Sequence, residues 1–447
     1  MSNCEQEAWN GTHANKDSSD SASKETVQKR PYRIYGEDMP KGALDRAYLA
    51  LFREYPPLLR LAAVAGASQT AFALLSVYAL PVYLIEDLHV SGLAVGGVTT
   101  VFLLSEMVLK FPLGRLSDRL GRKPFIVFGP LLIALNPIVM ARLPLRLWTL
   151  IFPLRAVDGA GAAALWPPLF AMVGDLVRDR SRAAAMSVVN TVYLGAIGAA
   201  AAIGGFTSDL SGSNRVPFYL VSGLLLVSAL TAHLGLPGQS MLEVERGEAT
   251  DPPEDTEAED PAELHHHPLS IVLLVTVLMT LSVWTLPNFL IVYIKVELGL
   301  SGSKTGLLLA VMAVPVMLLG LPLGRVADQW GRSRAVRASL AVSAAAMWLV
   351  PSCRGVVSFW LVAVVCVLSY MFGTPAWLAL VSSLAPKSRR GGVMGIVATA
   401  EGAGAALAPL LGGFLWDIHH SYIFYGAAAL LTIGAIVAAV VLRGARN

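Results

Sequence analysis

Long apolar segments alternate with short polar segments along most of the chain. A transmembrane α-helix needs about 20 mostly apolar residues to cross the hydrocarbon core of a bilayer. Twelve runs of this kind can be counted, and they predict an all-α membrane protein with twelve transmembrane helices in two sets of six. The runs lie near residues 59–85, 93–113, 124–142, 147–173, 183–206, 216–236, 268–295, 304–323, 335–352, 356–384, 392–416 and 421–442.

Two polar segments interrupt this pattern and divide the chain. Residues 1–55 have no apolar core of the kind that a signal peptide carries, and their composition predicts a disordered tail. Residues 237–267 are acidic and contain prolines, which is typical of a linker. The predicted domains are therefore the tail 1–55, a six-helix bundle 56–236, the linker 237–267 and a second six-helix bundle 268–443.

The composition agrees with a protein whose main solvent is lipid. The 447 residues are 55% hydrophobic and 15% charged, whereas about a quarter of the residues of a soluble protein are charged. The net charge of +3 does not indicate nucleic-acid binding. Cys4, Cys353 and Cys366 form no metal or disulfide framework, and no Walker lysine follows Gly159 and Gly161. We therefore expect no metal, no cofactor, no ATP site and no enzymatic activity.

A charged loop with two glycines occurs twice, about 210 residues apart. The first copy runs from Gly114 to Lys123 and the second from Gly324 to Arg332, and each copy lies between two apolar runs. A near-constant offset over a whole half indicates gene duplication into two parallel repeats. Further matches join Tyr83 to Tyr293, Pro112 to Pro322, Gly204 and Gly205 to Gly412 and Gly413, and Asp209 to Asp417.

The basic residues of the short loops predict the orientation of the chain. Fourteen lysines and arginines lie in one set of loops and six in the opposite set. Because cytoplasmic loops carry an excess of basic residues, the first set is predicted to be cytoplasmic. Both termini and the linker should then be cytoplasmic as well.

With the repeated Gly-x-x-x-Asp-Arg-x-Gly-Arg-Lys loop, the chain resembles the major facilitator superfamily of secondary transporters, in particular its drug/proton antiporters. The resemblance covers residues from about 56 to 443. It implies two six-helix halves that rock about a central cavity, so that the cavity is exposed to one side of the membrane at a time. It also implies a small-molecule substrate, a proton partner, a lipid bilayer, a monomer, and a bacterial inner (cell) membrane as the location.

The resemblance assigns a gating role to the two loops. Asp118 would lie near the start of helix 11, where free N–H groups favour negative charge, and Arg122 would pair with Asp175 as a latch. Alternatively, these charges only orient the loop. Ser383 stands where the second half would carry the acid, so the second latch is predicted to be incomplete. The gating candidates are Gly114, Asp118, Arg119, Gly121, Arg122, Asp175, Gly324, Asp328, Gly331 and Arg332.

Helix 4 contains two charged residues, Arg155 and Asp158, that lie one turn apart. A single charge at the bilayer centre costs about 2.5–3.5 kcal/mol on insertion scales, and the i, i+3 spacing lets the two neutralise each other. In the resembling family the arginine is linked to proton transfer, and Asp158 adds a titratable group. Proton coupling by Asp158 is one interpretation, and a permanent ion pair that only tethers helices is the other.

Helices 2 and 11 contain three further charges inside apolar runs. Glu106 and Lys110 are spaced i, i+4. At a rise of about 1.5 Å per residue, Glu106 lies about 12 Å in from Gly114, and Glu401 lies at a similar depth in helix 11. In the resembling fold these helices are neighbours, so Lys110 could bridge both glutamates. Alternatively, Lys110 pairs with Glu106 alone and Glu401 lines water.

Helices 1, 4, 7 and 10 line the pathway in the resembling family and supply the cavity candidates. An aromatic, weakly polar cavity suits amphipathic organic molecules, although each residue singly could instead serve packing. The candidates are Gln69, Tyr78, Trp166, Trp284, Asn288, Tyr370 and Trp377.

The leading functional hypothesis is proton-coupled efflux of drug-like or amphipathic molecules by alternating access. The Gly-Pro-x-x-Gly-Gly pattern of superfamily antiporters lacks its proline in helix 5, where Ala200 and Ala201 precede the final glycines. This departure weakens the antiporter assignment. A metabolite importer or facilitator, and a non-transporting sensor on a transporter scaffold, are therefore kept as alternatives.

Overall fold

The computed structural model describes residues 52–238, 269–384 and 390–441. The predictions for the tail 1–55 and the linker 237–267 therefore fall almost wholly outside the described residues. Throughout the described part the chain is helical, and no β-strand occurs there.

Each of the twelve predicted apolar runs corresponds to a helical span. Eleven spans are long and apolar enough to cross a membrane, and in the twelfth, α8, the apolar portion is the shorter segment Gly302–Pro315. The spans are α1 Pro56–Asp87, α2 Gly92–Leu120, α3 Arg122–Arg142, α4 Leu145–Leu176, α5 Asp179–Ser211, α6 Val216–Gly235, α7 Leu269–Glu297, α8 Gly302–Trp330, α9 Arg332–Ser352, α10 Val356–Leu384, α11 Arg390–Ile418 and α12 Tyr422–Val441.

The repeated loops are short turns made possible by glycine. Gly121 separates α2 from α3 with φ 93°, and Gly331 separates α8 from α9 with φ 98°. A residue with a Cβ is disfavoured at such positive φ values, whereas glycine adopts them readily. At the other ends of α2 and α8, the Ser91 and Ser301 hydroxyls accept hydrogen bonds from backbone N–H groups at 3.3 Å and 3.5 Å. A serine cap at the start and a glycine at the end therefore delimit both α2 and α8.

Three spans are irregular at positions that matter for the candidate site. The middle of α1 is a π-helical segment, Leu74–Ala79. The α3 helix is interrupted before Pro137, and α7 is interrupted before Pro287. Proline has no N–H to donate and cannot continue the regular ladder. π-Helical turns inside helices are frequent at functional sites.

The spans pack into two halves of six. Within the first half, α4 packs against α2 and α3, and α1 packs against α5 and α6. In the second half, α9 packs against α10 and α12, and α7 packs against α11 and α12. The halves meet mainly along two helix pairs, α2 with α11 and α5 with α8, and α7 also contacts α1. The predicted proximity of helices 2 and 11 is confirmed.

The two halves are in close contact at one end of the bundle, which we call the closed end. There a Cβ added to Gly205 would meet the carbonyl of Gly302, and one added to Gly413 would meet the carbonyl of Gly92. Small residues let helix backbones approach this closely. The glycines that duplication preserved at the ends of α5 and α11 therefore hold the halves together.

The opposite end, which carries Gly121 and Gly331, is called the basic end. Along α2, contacts with α11 extend from Gly92 to Met107, whose sulfur lies beside Gly402. Nearer the basic end, a Cβ added to Gly392 or Gly395 of α11 would meet open space. At these two positions α11 is therefore not packed against another described part of the chain.

Candidate functional site

The candidate site begins with two charged side chains in the middle of α4. Arg155 and Asp158 are both fully buried. The Arg155 Nη1 atom donates to Asp158 Oδ2 at 2.9 Å. The face of the guanidinium lies over the Phe102 ring of α2, 4.2 Å from its centroid. The predicted neutralisation of these two charges within one helix face is therefore present.

Two residues that the sequence did not single out complete this pair. The Asn136 Nδ2 atom donates to Asp158 Oδ1 at 2.7 Å and to the Leu154 carbonyl at 3.2 Å. The Arg155 Nη2 atom donates to the Ser76 hydroxyl at 2.9 Å. Asn136 stands at the interruption of α3 and Ser76 in the π-helical segment of α1. We call Ser76, Asn136, Arg155 and Asp158 the buried polar cluster.

Glycine brings α2 and α4 together beside this cluster. A Cβ added to Gly159 would lie 2.8 Å from Ser105 Cβ and 2.9 Å from Glu106 N. The Ser105 hydroxyl donates to the Ala156 carbonyl at 2.7 Å across the same contact. Gly159 therefore places the backbone of Glu106 against α4, within the electrostatic influence of Arg155.

Glu106 pairs with Lys110 of its own helix. The Lys110 Nζ atom lies 2.9 Å from Glu106 Oε1, and the side chains are 50% and 13% exposed. Among the described residues, no ion pair joins Lys110 to Glu401. Glu401 is half-buried on α11 and lies within electrostatic reach of Tyr370. Of the two interpretations of Lys110, the structure contains the pair confined to α2, because the side chain points along its own helix.

Five aromatic side chains from four helices line the first half next to Glu106. We call Phe72, Phe102, Trp166, Phe170 and Tyr193 the aromatic cluster. The rings of Trp166 and Tyr193 meet edge to face with centroids 5.1 Å apart, and Phe72 lies 6.1 Å from both Phe102 and Trp166. Tyr193 is close to Gln69 and within the influence of the Glu106 charge. Gln69 and Trp166 therefore lie together, as two of the predicted cavity residues.

The other cavity candidates are dispersed. Tyr78 is fully buried between Gly204 and Gly302 at the closed end, so it packs the halves together rather than facing an open cavity. In the second half, Trp377 is buried and its Nε1 donates to Thr276 Oγ1 at 3.2 Å. Asn288 is 3% exposed and Trp284 is 45% exposed. Helical spacing could not distinguish these environments, because it does not determine how each helix is rotated.

The first gating loop is held by ion pairs within the first half. Arg122 forms an ion pair with Asp175 at the end of α4, and its Nη2 lies 3.8 Å from Asp118 Oδ1. Asp118 is 64% exposed and Arg119 is exposed. The contact of Asp118 with the start of α11 is absent from the described residues.

The predicted latch must therefore be corrected in one respect. The Arg122–Asp175 pair joins α3 to α4, which belong to the same half. By itself it cannot tie one half to the other. Gly114 lies beside Pro167 of α4, again within the first half.

The second gating loop is only partly described. Gly331 has the positive φ of its counterpart, and Arg332 is exposed. Gly324 and Asp328 lie in the last turns of α8, and their side-chain surroundings fall outside the described residues, as do those of Ser383. The incomplete second latch therefore stays a prediction.

Two aspartates that sequence analysis noted only as a repeat make reciprocal contacts at the closed end. Asp417 of α11 accepts from the backbone N–H groups of Gly92 and Leu93 at 2.5 Å and 2.9 Å. Asp209 of α5 accepts from Gly302 N at 3.1 Å, and from Ser303 N and Oγ at 2.8 Å and 2.6 Å. Each carboxylate thus caps the first turn of a helix in the opposite half.

Removal of these caps is expected to open the closed end. Asp417→Ala should lower the closed population about fivefold, since losing an N-cap side chain costs about 0.5–2 kcal/mol. Asp417→Asn should fall between wild type and Asp417→Ala, because its single amide oxygen can accept from only one of the two N–H groups. Spin labels on Cys353 and Pro144→Cys, with Cys4 and Cys366 changed to serine, would report the distance between halves. Identical distance distributions for Asp417→Ala and wild type would contradict the expectation.

The geometry is that of a carboxylate enclosed by α1, α3 and α4, in a two-half bundle closed at one end. The described residues contain no group of three or more histidine, cysteine, aspartate or glutamate side chains that could hold a metal ion. The sequence profile of the Major Facilitator Superfamily matches residues 61–271 and 272–446, one match for each half. The chain belongs to the major facilitator superfamily.

Two bacterial members of the superfamily align with most of this transporter. Multidrug resistance protein 2 of Bacillus subtilis (strain 168) is 24% identical over 350 residues, which cover 78% of this chain and 86% of that protein. Multidrug resistance protein 1 of the same organism is 23% identical over 356 residues, covering 78% and 88%. Both relatives are named as multidrug resistance proteins, and each alignment covers more than three quarters of both chains.

A solved structure supports the fold of this superfamily member. The bacterial homologue of the human lysosomal transporter Spinster, in its inward-facing and occupied conformation, superimposes with a TM-score of 0.70. The sequence identity is 14%, and the match covers 89% of this chain and 97% of that one. At that identity the likeness concerns the fold alone.

Proposed function

We propose that this transporter exports small amphipathic organic molecules in exchange for protons. The observation that carries the proposal is the buried polar cluster. A titratable carboxylate, Asp158, is enclosed by α1, α3 and α4 and held by Arg155 and Asn136. Ionisable groups inside a membrane span are costly and mark proton or solute pathways. Uptake or release of one proton by Asp158 would shift the equilibrium between the two positions that the first half takes relative to the second.

The direction of export follows from the orientation that the basic loops predict. Cytoplasmic loops carry the excess of lysine and arginine, so the basic end, both termini and the linker would face the cytoplasm. The chain would then be open towards the cytoplasm in a bacterial inner membrane and accept its solute there. Bacterial relatives that are named multidrug resistance proteins support efflux of drug-like molecules.

The first loop would act as a gate when the basic end closes. The Arg122–Asp175 pair anchors the loop to α4, leaving Asp118 exposed. When the halves close at the basic end, Asp118 could reach the free N–H groups at the start of α11, where negative charge is favoured. We propose that the loop of the second half, around Asp328, acts on the first half in a weaker, incomplete way.

The solute would bind next to the aromatic cluster, between the halves. Gln69, Trp166 and Tyr193 offer polar edges among aromatic faces, and we propose that Glu401 and Tyr370, which lie near each other in the second half, form the opposite wall. A largely apolar site with few polar groups suits amphipathic organic molecules. Since one chain supplies both halves, we propose that a monomer is the working unit, with no nucleic-acid partner.

Transport assays in proteoliposomes test the proposal. Purified protein would be reconstituted, a proton gradient imposed in either direction, and flux followed for a panel of fluorescent cationic, neutral and anionic amphiphiles. We expect solute accumulation on the acidic side and proton release on the other. Solute movement in the same direction as the proton would instead indicate an importer, and flux that ignores the gradient would indicate a facilitator.

The sensor alternative has its own assay. Deleting residues 1–50 should leave flux unchanged if the tail is not part of the transport cycle. Absence of flux for every compound, with both the full and the shortened chain correctly folded, would favour a non-transporting sensor and overturn the proposal.

A further inference from the structure

We infer that Glu106 binds the positive charge of a lipophilic organic cation, and that the Lys110 ammonium group occupies Glu106 until the cation displaces it. The inference rests on the proposed function and adds a specificity-determining residue to it. Three features of the first half support it: the geometry of the ion pair, the aromatic side chains beside it, and the balance of buried charges.

The ion pair is suited to exchange rather than to holding the fold. Lys110 and Glu106 are on the same helix, so their contact at 2.9 Å ties no two helices together. Glu106 is the more buried partner, with 13% of its side chain exposed, whereas half of Lys110 is exposed. A lysine stem is long and flexible and can swing its charge into water. The lysine can therefore leave while the carboxylate stays in place.

The position of the pair gives a solute access to it. Met107, the residue after Glu106, lies beside Gly402 of α11, so Glu106 is next to the boundary between the halves. Lys110 lies one turn further towards the basic end, and half of its side chain is exposed. A solute entering from that end would meet the lysine first and the carboxylate behind it.

Aromatic faces next to the carboxylate indicate the kind of cation. Phe72, Phe102, Trp166, Phe170 and Tyr193 form a continuous group of rings, and Tyr193 is within the influence of the Glu106 charge. Aromatic faces attract cations through the ring quadrupole. An organic cation with aromatic substituents would satisfy both the rings and the carboxylate.

Charge balance explains why displacement is required. Arg155 and Lys110 carry two positive charges, and Asp158 and Glu106 two negative ones, so this group of side chains is neutral. The Arg155 charge also interacts with Glu106. An incoming cation that did not displace Lys110 would leave an unbalanced positive charge in a region where charge is costly. With Lys110 moved into water, the balance is restored.

Binding to two ions of the same shape and opposite charge tests the inference. Tetraphenylphosphonium and tetraphenylborate would be titrated against the full chain in nanodiscs at neutral pH. Lys110→Met should tighten tetraphenylphosphonium binding about fivefold, as expected from removing a competing ion pair worth up to about 1 kcal/mol. Lys110→Arg should stay near wild type, and Glu106→Gln should weaken binding at least about tenfold. Neither Lys110→Met nor wild type should prefer tetraphenylborate.

A double variant and a surface control make the result specific. In the Glu106→Gln background, Lys110→Met should give no further gain, because the two residues act on each other. Lys304→Met removes a lysine that is exposed at the closed end and should leave affinity unchanged. If Glu106→Gln fails to fold, Glu106→Asp, which keeps the charge at a shorter reach, takes its place and should bind more weakly than wild type.

Several outcomes would overturn the inference without touching the proposed function. Wild-type protein that binds neither ion, or a Lys110→Met affinity equal to that of wild type, would do so even if proton-driven flux of other compounds is intact. Conversely, the protein could show the expected binding pattern but no proton-coupled flux. That result would support the role of Lys110 and overturn the proposed transport function.

Discussion

Replacing Asp158 by asparagine is expected to abolish proton-driven transport, with flux under an imposed proton gradient falling at least about tenfold. The amide has the shape of the carboxyl group, but its single oxygen can accept from only one of Arg155 and Asn136, which bind different carboxylate oxygens in the native pair. It cannot gain or lose a proton, so it cannot change the charge of the buried polar cluster during a cycle. Without that change of charge, the proton gradient has no titratable group in the cluster through which to drive the cycle.

The measurement is flux in proteoliposomes with and without the gradient. Exchange of labelled for unlabelled solute at equal pH should persist in Asp158→Asn, which separates lost coupling from lost binding. Asp87→Asn makes the same chemical change at an exposed position of the closed end and should transport as wild type. Unchanged gradient-driven flux and pH dependence in Asp158→Asn would mean that Arg155 and Asp158 are a permanent ion pair that only tethers the helix.

Substitution of Arg155 by leucine should cost the largest amount of stability in the first half. It leaves the Asp158 carboxylate fully buried with only the Asn136 amide as a partner. Breaking a buried pair by removing one member costs about 3–5 kcal/mol, whereas replacing both members by apolar residues is often neutral. We therefore expect Arg155→Leu to lower the apparent Tm strongly, and Arg155→Leu with Asp158→Leu to recover much of the loss.

Thermal unfolding in detergent, followed by the fraction of monodisperse protein that remains, would check this expectation. Arg146→Leu removes an exposed arginine at the start of the same span and should leave the apparent Tm near wild type. The single variant Asp158→Leu would be measured alongside. If the loss of apparent Tm in the double variant equalled the sum of the losses in the two single variants, Arg155 and Asp158 would not be each other's main partners.

Much of the fold could be predicted because a bilayer restricts the possibilities. The length of each apolar run reports a membrane crossing, and the duplicated loop aligned the two halves. The helix 2 and helix 11 neighbours followed from the family resemblance and are present in the contacts. The Arg155–Asp158 pair could be predicted as well, because residues spaced i, i+3 share a helix face whatever the tertiary arrangement.

The partners of these residues on other helices could not be predicted. Asn136 and Ser76 reach the pair from positions 22 and 79 residues away from the atoms they contact. Nothing in their local sequence distinguishes them from ordinary packing residues. The rotation of each helix decides such contacts, and periodicity within one helix does not specify that rotation. Because helix rotation is not specified by the sequence, Tyr78 was predicted to line the cavity, although it is buried and packed between the halves.

By itself, the sequence determined the number of crossings, the two repeats, the position of the glycine turns and the charges that lie within single helices. These features depend on chain-local quantities: apolar length, φ preference and residue spacing. Only the tertiary structure decided that no ion pair joins Lys110 to Glu401 among the described residues, and that Asp209 and Asp417 cap helices of the opposite half. These contacts depend on how far apart and at what rotation the helices pack, which is set by the close approach of glycines on facing helices.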